Sequence, residues 1–240
     1  MQSKNKLTFI VLLLFCLSIY LAFQVENPKA KILLAKKMGL AEIPELSDGL
    51  PYYMMESLSP VWDKSAYELV VLPDYEFKNQ EDENTNLKTL TGKNTVLGFI
   101  FTSCAGFCPI LVEKLKQLEE TVSEFQEANY VLISVDPEYD TPEVLQEFAE
   151  KHDLAGRDNW FFLTAGKEQT YHLIRKYFAS EVKELDQENM RKFAHTEHFY
   201  LFDRTRHMRS VFNGTRLDMQ KFAKSSMGEL DSESEELSQK

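Results

Sequence analysis

The feature that most constrains this chain is an apolar run at residues 95–101 that leads directly into two cysteines. A run without polar alternation is typical of a strand buried on both faces of a sheet. Cys104 and Cys108 follow it, and after Pro109 apolar residues recur at steps of four and three, the period of an amphipathic helix. The sequence therefore predicts two thiols between a central strand and a helix.

Three chemistries are open to this pair of thiols. The chain has three cysteines, and Cys16 lies in an apolar N-terminal run, so a disulfide framework is excluded. A helix N-terminus lowers thiol pKa and favours the thiolate, which is both a nucleophile and a ligand for soft metals. Cys104 and Cys108 are one residue further apart than the pair of thioredoxin-type exchange. The pair is therefore redox-active, metal-binding or a plain structural disulfide.

A third ligand would have to come from one of five histidines. Two thiolates and one imidazole would suit Cu(I), because soft ligands select it. His152 follows a predicted helix, His172 lies within one and His207 lies in a hairpin turn, so all three are expected at the surface. His195 and His198 flank the start of a predicted strand, where alternation puts them on opposite faces. The residues alone do not choose between these two.

The N-terminus predicts a membrane segment. Residues 7–23 carry no charge and follow Lys4 and Lys6. About 17 residues are just long enough to cross a hydrocarbon core. A cleaved signal peptide is the alternative, but the run ends without a convincing small-residue cleavage site. An uncleaved anchor is favoured, with the N-terminus cytoplasmic and the rest on the extracytoplasmic side.

The remaining patterns predict an α/β fold with a central sheet and helices on both faces. We expect strands at 68–72, 75–77, 95–101, 130–135, 160–163, 198–203 and 208–212, and helices at 111–125, 141–149, 171–178 and 217–223. Asp140 or Thr141 is expected to cap the second of these helices, which has Pro142 in its first turn. Residues 181–193 are expected to form a charged, exposed excursion. The domains are an anchor or signal at 1–24, a tether at 25–60, a folded domain at 61–224 and a disordered acidic tail at 225–240. A net charge of −11 argues against nucleic acid as a partner.

Three ordered motifs carry a family resemblance. Residues 99–109 read Phe-x-Phe-Thr-x-Cys-x-x-x-Cys-Pro, residues 134–143 read Ser-Val-Asp-Pro-Glu-Tyr-Asp-Thr-Pro-Glu, and residues 195–203 read His-Thr-Glu-His-Phe-Tyr-Leu-Phe-Asp. Together they resemble the Sco (SenC/PrrC) family of membrane-anchored copper-delivery proteins, over residues 50–223. Ala105 departs from the pattern, since many members have proline directly after the first cysteine.

The resemblance implies a thioredoxin-like, peroxiredoxin-type fold and a copper ion bound by Cys104, Cys108 and His195. It further implies delivery of copper to the binuclear centre of a respiratory cytochrome c oxidase, with the copper-centre subunit as partner and thioredoxin-like reductants as further partners. The register of the third motif favours His195 over His198. Asp136 has two interpretations, a group that orients a ligand or a turn residue before Pro137.

A different class of function uses the same cysteines without His195. A thiol–disulfide oxidoreductase would reduce the cysteines of a partner outside the cytoplasm. The two functions can coexist, because cysteines must be reduced before they bind metal. The additional residue between Cys104 and Cys108 leaves more room for a bridging metal ion than the thioredoxin-type spacing does, and so favours metal binding.

Overall fold

The computed structural model of this chain describes residues 49–55, 57–104, 106–123, 125, 127–180, 183–187, 190–194 and 197–238. For 183–187, 190–194 and 236–238 it describes the backbone alone. The expected anchor at 1–24, the tether up to residue 48 and His195 lie outside these residues. Within them, no helix combines the length and the apolar character that crossing a bilayer requires.

The described residues form eleven strands and four α-helices. The strands are β1 (Tyr52–Tyr53), β2 (Pro60–Val61), β3 (Glu76–Lys78), β4 (Asn84–Asn86), β5 (Asn94–Ile100), β6 (Ala128–Ser134), β7 (Trp160–Leu163), β8 (Lys183–Gln187), β9 (Met190–Ala194), β10 (His198–Phe202) and β11 (Met208–Asn213). The helices are α1 (Phe107–Thr121), α2 (Pro142–Lys151), α3 (Lys167–Tyr177) and α4 (Met219–Ser238), and a 3₁₀ turn spans Leu87–Leu90.

A mixed five-stranded sheet organises the domain, in the order β11-β10-β5-β6-β7. β5, β6 and β7 are parallel, while β10 runs antiparallel to both β5 and β11. Every residue of β5 and β6 is buried, as expected for central strands covered on both faces. The α/β class and the central strand at 95–101 are thereby confirmed.

Aromatic contacts place helices on opposite faces of this sheet. Phe99 and Tyr200 point to one face, where their ring centroids lie 4.9 and 4.6 Å from that of Phe178, directly after α3. Phe199 directly precedes Tyr200 in β10 and therefore points to the other face. A side chain at Gly214 would collide with both Phe199 and Leu111 of α1, so α1 covers that second face.

The start of α2 follows from its sequence. The Thr141 side chain accepts a hydrogen bond from the N–H of Val144, and Pro142 occupies the first turn, where its missing N–H costs nothing. The prediction that Asp140 or Thr141 caps this helix is confirmed for Thr141. The Asp140 side chain is directed instead toward the turn that follows β5.

Of the two strands predicted before β5, the one at 75–77 is confirmed as β3, and the one at 68–72 is wrong. Residues 68–72 form only isolated bridges, from Leu69 to Met54 and from Val71 to His207, and the second strand is β3, paired with β4. Backbone groups of 68–72 find partners in two different segments, because Val70 donates to Tyr53 and accepts from Met208. A segment whose hydrogen bonds are divided between two neighbours does not form a regular strand with either of them.

One segment boundary differs from the prediction, and one expected excursion contains regular structure. The compact unit begins at Gly49 rather than residue 61, and the β1–β2 pair lies within it. Residues 181–193 were expected as an excursion, and their described part forms the antiparallel pair β8 and β9. Regular backbone pairing in this pair satisfies N–H and C=O groups that a charged loop would leave to water.

The predicted disordered tail at 225–240 is wrong, because α4 continues to Ser238. Met219, Ala223, Met227 and Leu230 recur at steps of four, four and three and are all buried. This spacing forms one apolar helical face. The segment is rich in serine and glutamate and has few apolar residues, so its composition predicted disorder and the helical period was missed.

Arg209 of β11 connects the end of α4 to the segment at residues 50–52. It is only 4% exposed and its guanidinium donates to both carboxylate oxygens of Glu233 at 2.8 and 2.9 Å. The same group donates to the carbonyls of Leu50 and Pro51 and lies 4.2 Å from the ring centroid of Tyr52. A charge this buried depends on its partners, since a buried ion left unpaired is strongly destabilising.

We expect Glu233→Gln to lower the free energy of unfolding by about 2 kcal/mol, because it removes the charge from a hydrogen-bonded buried pair. Urea unfolding of the full-length chain measures this. Glu229→Gln is the matched control, since Glu229 is exposed on the same helix, and should change the value by less than about 0.5 kcal/mol. Equal, small effects of both changes would mean that the end of α4 does not contribute to stability.

Candidate metal centre

The two cysteines lie where β5 ends and α1 begins. Cys104 is half-buried in the turn, and its N–H donates to the Phe101 carbonyl at 3.2 Å. Cys108 is fully buried in the first turn of α1. The two are not joined by a disulfide, and the Cys108 thiol hydrogen-bonds the Cys104 sulfur. The predicted location of the pair is confirmed.

The sulfur of Cys104 acts as the N-terminal cap of α1. Gly106 occupies the N-cap position and provides no side-chain hydrogen bond to the first free N–H groups of the helix. Burial by itself raises the pKa of Cys104. The N–H groups of Cys108, Gly106 and Phe107, together with the Cys108 thiol, outweigh burial, so the pKa lies below its usual value. A thiolate is therefore favoured at Cys104.

Cys108 has the opposite properties. Burial raises the pKa of its thiol far above the usual value, and the neighbouring Cys104 and the Asp140 carboxylate raise it further. The Phe101 backbone acts in the other direction without reversing the shift. The pair thus combines one accessible, acidic thiol with one buried thiol that keeps its proton.

Asp140 was not identified as a site residue from the sequence. Its carboxylate is fully buried and accepts hydrogen bonds from the Thr102 backbone and hydroxyl and from the Ser134 hydroxyl. Burial raises the pKa of Asp140, although these hydrogen bonds lower it. Asp136 is also buried, and its N–H donates to the Ser134 hydroxyl at 3.0 Å. The turn interpretation of Asp136 is supported by Asp140, which donates its N–H to the Asp136 carbonyl.

The structure describes four of the five histidines, and their surroundings differ. His195 lies outside the described residues. His198 begins β10, with its ring centroid 6.5 Å from that of Tyr200 on the face covered by Phe178. His172 is bonded to the Tyr75 hydroxyl at 2.7 Å.

His152 and His207 are partly buried rather than surface residues. Burial lowers the pKa of each below its usual value. The His152 ring packs on Phe148 with centroids 4.5 Å apart, and His207 is bonded to Thr205 at 2.8 Å. Both rings therefore have structural contacts away from the cysteine turn.

The two sulfurs form a partial site for a soft metal. They are close enough to hydrogen-bond, and the sulfur that reaches solvent already favours the thiolate. Within the described part of the chain, no group of three or more histidine, cysteine, aspartate or glutamate residues could hold a metal ion. The sulfur pair fits a soft cation such as Cu(I) and requires a further donor.

Cys104 should react with iodoacetamide faster than Cys108 at pH 7. The rate should reach half its maximum at a lower pH than for cysteine in an unfolded peptide, because the thiolate reacts and the pKa of Cys104 is lowered. Mass spectrometry of the reduced chain, labelled across a pH series, identifies the modified residue. The same chain in urea is the control, and faster labelling of Cys108 in the folded chain would contradict the assignment.

The sequence matches the SCO1/SenC family over residues 64–227. This is well over half of the chain and includes both cysteines. A curated relative, the SCO1 protein homolog of Bacillus subtilis, is 33% identical over 129 residues. That match covers 53% of this chain and 65% of the relative, so it spans just under two thirds of the relative's length.

Solved structures share the fold. BsSco, described as a member of the Sco family of cytochrome c oxidase assembly proteins with a disulfide switch, matches with a TM-score of 0.59 and 27% identity, covering 68% of this chain and 94% of BsSco. Bradyrhizobium japonicum ScoI, solved with copper bound, matches with a TM-score of 0.56 and 22% identity, covering 66% and 98%. The mixed sheet is consistent with the thioredoxin-like fold that the resemblance implied. The chain belongs to the SCO1/SenC family.

Proposed function

We propose that this protein is a copper chaperone that delivers copper to the binuclear copper centre of a respiratory cytochrome c oxidase during assembly. One observation carries the proposal: Cys104 and Cys108 lie in hydrogen-bond contact at a strand-to-helix turn, with one sulfur half-buried and favoured as thiolate. Copper is the cargo. Its proposed ligands are Cys104, Cys108 and His195.

The asymmetry of the two sulfurs suits a cargo that must be released. Cu(I) prefers soft thiolates, and binding releases the proton of the buried Cys108 thiol. Because Cys104 is the half-exposed donor, a partner's ligand can approach the ion on that side. The copper-centre subunit of the oxidase is the proposed partner.

The direction of β10 supports His195 as the third ligand. Antiparallel pairing of Tyr200 with Leu97 puts the start of β10 beside the end of β5, the same sheet edge from which the cysteine turn departs. His195 precedes β10 by three residues in sequence. His198 is a weaker candidate, because its ring is near Tyr200 on the face opposite α1.

The proposed localisation follows from the sequence. Residues 1–24 would anchor the chain with its N-terminus in the cytoplasm and the copper-binding domain on the extracytoplasmic side. Thiols outside the cytoplasm tend to oxidise, and copper requires them reduced. Thioredoxin-like reductants are therefore proposed as further partners.

The pKa difference between the cysteines favours thiol–disulfide exchange as a second candidate function. The Cys104 thiolate would attack a partner disulfide, forming a mixed disulfide and releasing one partner thiolate. After losing its proton, Cys108 would attack the Cys104 sulfur and release the second partner sulfur. The partner would gain two electrons, and Cys104 and Cys108 would end as a disulfide.

We expect His195→Ala to weaken Cu(I) binding by about 10- to 100-fold or more. Losing a residue that only hydrogen-bonds a metal ligand typically lowers metal affinity by about 10- to 100-fold, and His195 is proposed as a direct ligand. The reduced full-length chain in detergent is titrated with Cu(I) against bicinchoninate under anaerobic conditions. The parent should bind one copper per chain. His198→Ala is the matched control and should bind like the parent.

The same variants separate the two functions. If His195→Ala binds copper like the parent, or if His198→Ala shows the loss instead, the proposed ligand set is wrong. If His195→Ala restores oxidase assembly in cells while Cys104→Ser and Cys108→Ser do not, exchange chemistry replaces copper delivery as the function.

A further inference from the structure

The buried carboxylate of Asp140 has no role in the function proposed above. Its side chain is 0% exposed, and the ion pairs within the described residues do not include it. Its oxygens accept from the Thr102 N–H at 3.3 and 3.2 Å, from the Thr102 hydroxyl at 2.5 Å and from the Ser134 hydroxyl at 2.5 Å. Burying a charge without a cation is costly and is tolerated only when hydrogen bonds satisfy it. Here two hydroxyls and a backbone N–H do so.

These partners come from the ends of two neighbouring strands. Ser134 ends β6 and pairs in register with Ile100, the last residue of β5, while Thr102 follows two residues later. The carboxylate therefore connects the turn leaving β5 to the end of β6. Its own backbone is fixed, because the Asp140 N–H donates to the Asp136 carbonyl at 2.8 Å.

The connection restrains the residue that precedes the reactive sulfur by two positions. Thr102 is bonded to Asp140 through both its backbone N–H and its hydroxyl, so neither its backbone nor its side chain can rotate without losing a bond. Cys104 then donates its N–H to Phe101, which keeps the turn tight. Asp140, which lies outside the turn, therefore helps to fix the position of the Cys104 sulfur at the helix N-terminus.

This contact joins residues from two separate sequence motifs. Thr102 belongs to the motif at 99–109, whereas Ser134 and Asp140 belong to the motif at 134–143, to which no ligand has been assigned. The structure joins the two through one carboxylate.

We propose that Asp140 is a positioning residue: by holding Thr102, it keeps the Cys104 sulfur against the Cys108 sulfur and so strengthens every reaction that uses both sulfurs at once. Disulfide formation and bidentate binding of Cu(I) both require this proximity. The copper part rests on the proposed function. The disulfide part does not, since it depends only on the two thiols.

Four variants test this in the full-length chain. Asp140→Asn keeps the shape and removes the charge-assisted bonds. Thr102→Val removes the hydroxyl and leaves the Asp140 charge, while Thr102→Ser restores the hydroxyl. Asp203→Asn is the matched control, because Asp203 accepts from the Thr205 N–H and hydroxyl at 2.9 and 2.7 Å in the β10–β11 hairpin, at the opposite end of β5.

The principal measurement is the equilibrium with glutathione. Protein dithiol and one glutathione disulfide give protein disulfide and two glutathione thiols; two electrons and both protein protons pass to glutathione. Asp140→Asn and Thr102→Val should each lower this equilibrium constant about tenfold, as expected for loss of a hydrogen bond to a charged group. Thr102→Ser and Asp203→Asn should remain close to the parent. Cu(I) affinity against bicinchoninate should fall in the same two variants.

Three results would overturn the inference. An unchanged glutathione equilibrium in Asp140→Asn would show that the carboxylate does not position the turn. If the equilibrium constant changed in Asp140→Asn but not in Thr102→Val, the effect would come from the negative charge of Asp140 and not from its hold on Thr102. An equal change in the glutathione equilibrium of Asp203→Asn would mean that the effect of Asp140→Asn comes from general destabilisation of the fold. If His195→Ala left copper binding intact, only the proposed function would fail, because the glutathione equilibrium does not involve copper.

Discussion

The contact between the Cys104 sulfur and the first N–H groups of α1 is the interaction on which the site depends. A helix N-terminus has free N–H groups that need an acceptor, and Gly106 supplies none from a side chain. The sulfur of Cys104 accepts them and is stabilised as a thiolate in return. Helix stability and thiol reactivity therefore come from the same contact, so a change in the turn affects both.

The buried strands on either side make this contact possible. β5 and β6 are completely buried and in register up to Ile100 and Ser134, which fixes where the turn leaves the sheet. Asp140 then ties the turn to the end of β6. A loop that is held at both ends can keep two sulfurs together without a covalent bond between them. Such preorganisation favours chemistry that needs both sulfurs.

The sequence was most reliable where local periodicity reflects burial. The apolar run of β5, the strands β6 and β7 and the capped start of α2 could be predicted because each signal lies within a few residues. It was least reliable where partners lie far apart. The helix at the C-terminus is stabilised by Glu233 binding Arg209, and residues 68–72 divide their hydrogen bonds between Tyr53 and Met208. Neither of these long-range contacts can be read from the neighbouring sequence, although the buried face of the C-terminal helix does follow a local period.

The sequence by itself determined the family and the pair of thiols, because motif spacing is a property of the chain. Only the tertiary structure decided how different the two thiols are. Burial of Cys108 and capping of α1 by Cys104 shift their pKa values in opposite directions, and neither effect can be read from spacing. The same holds for Asp140, which looked like a helix cap in the sequence. Its partner Thr102 is 38 residues away, and only folding brings the two together.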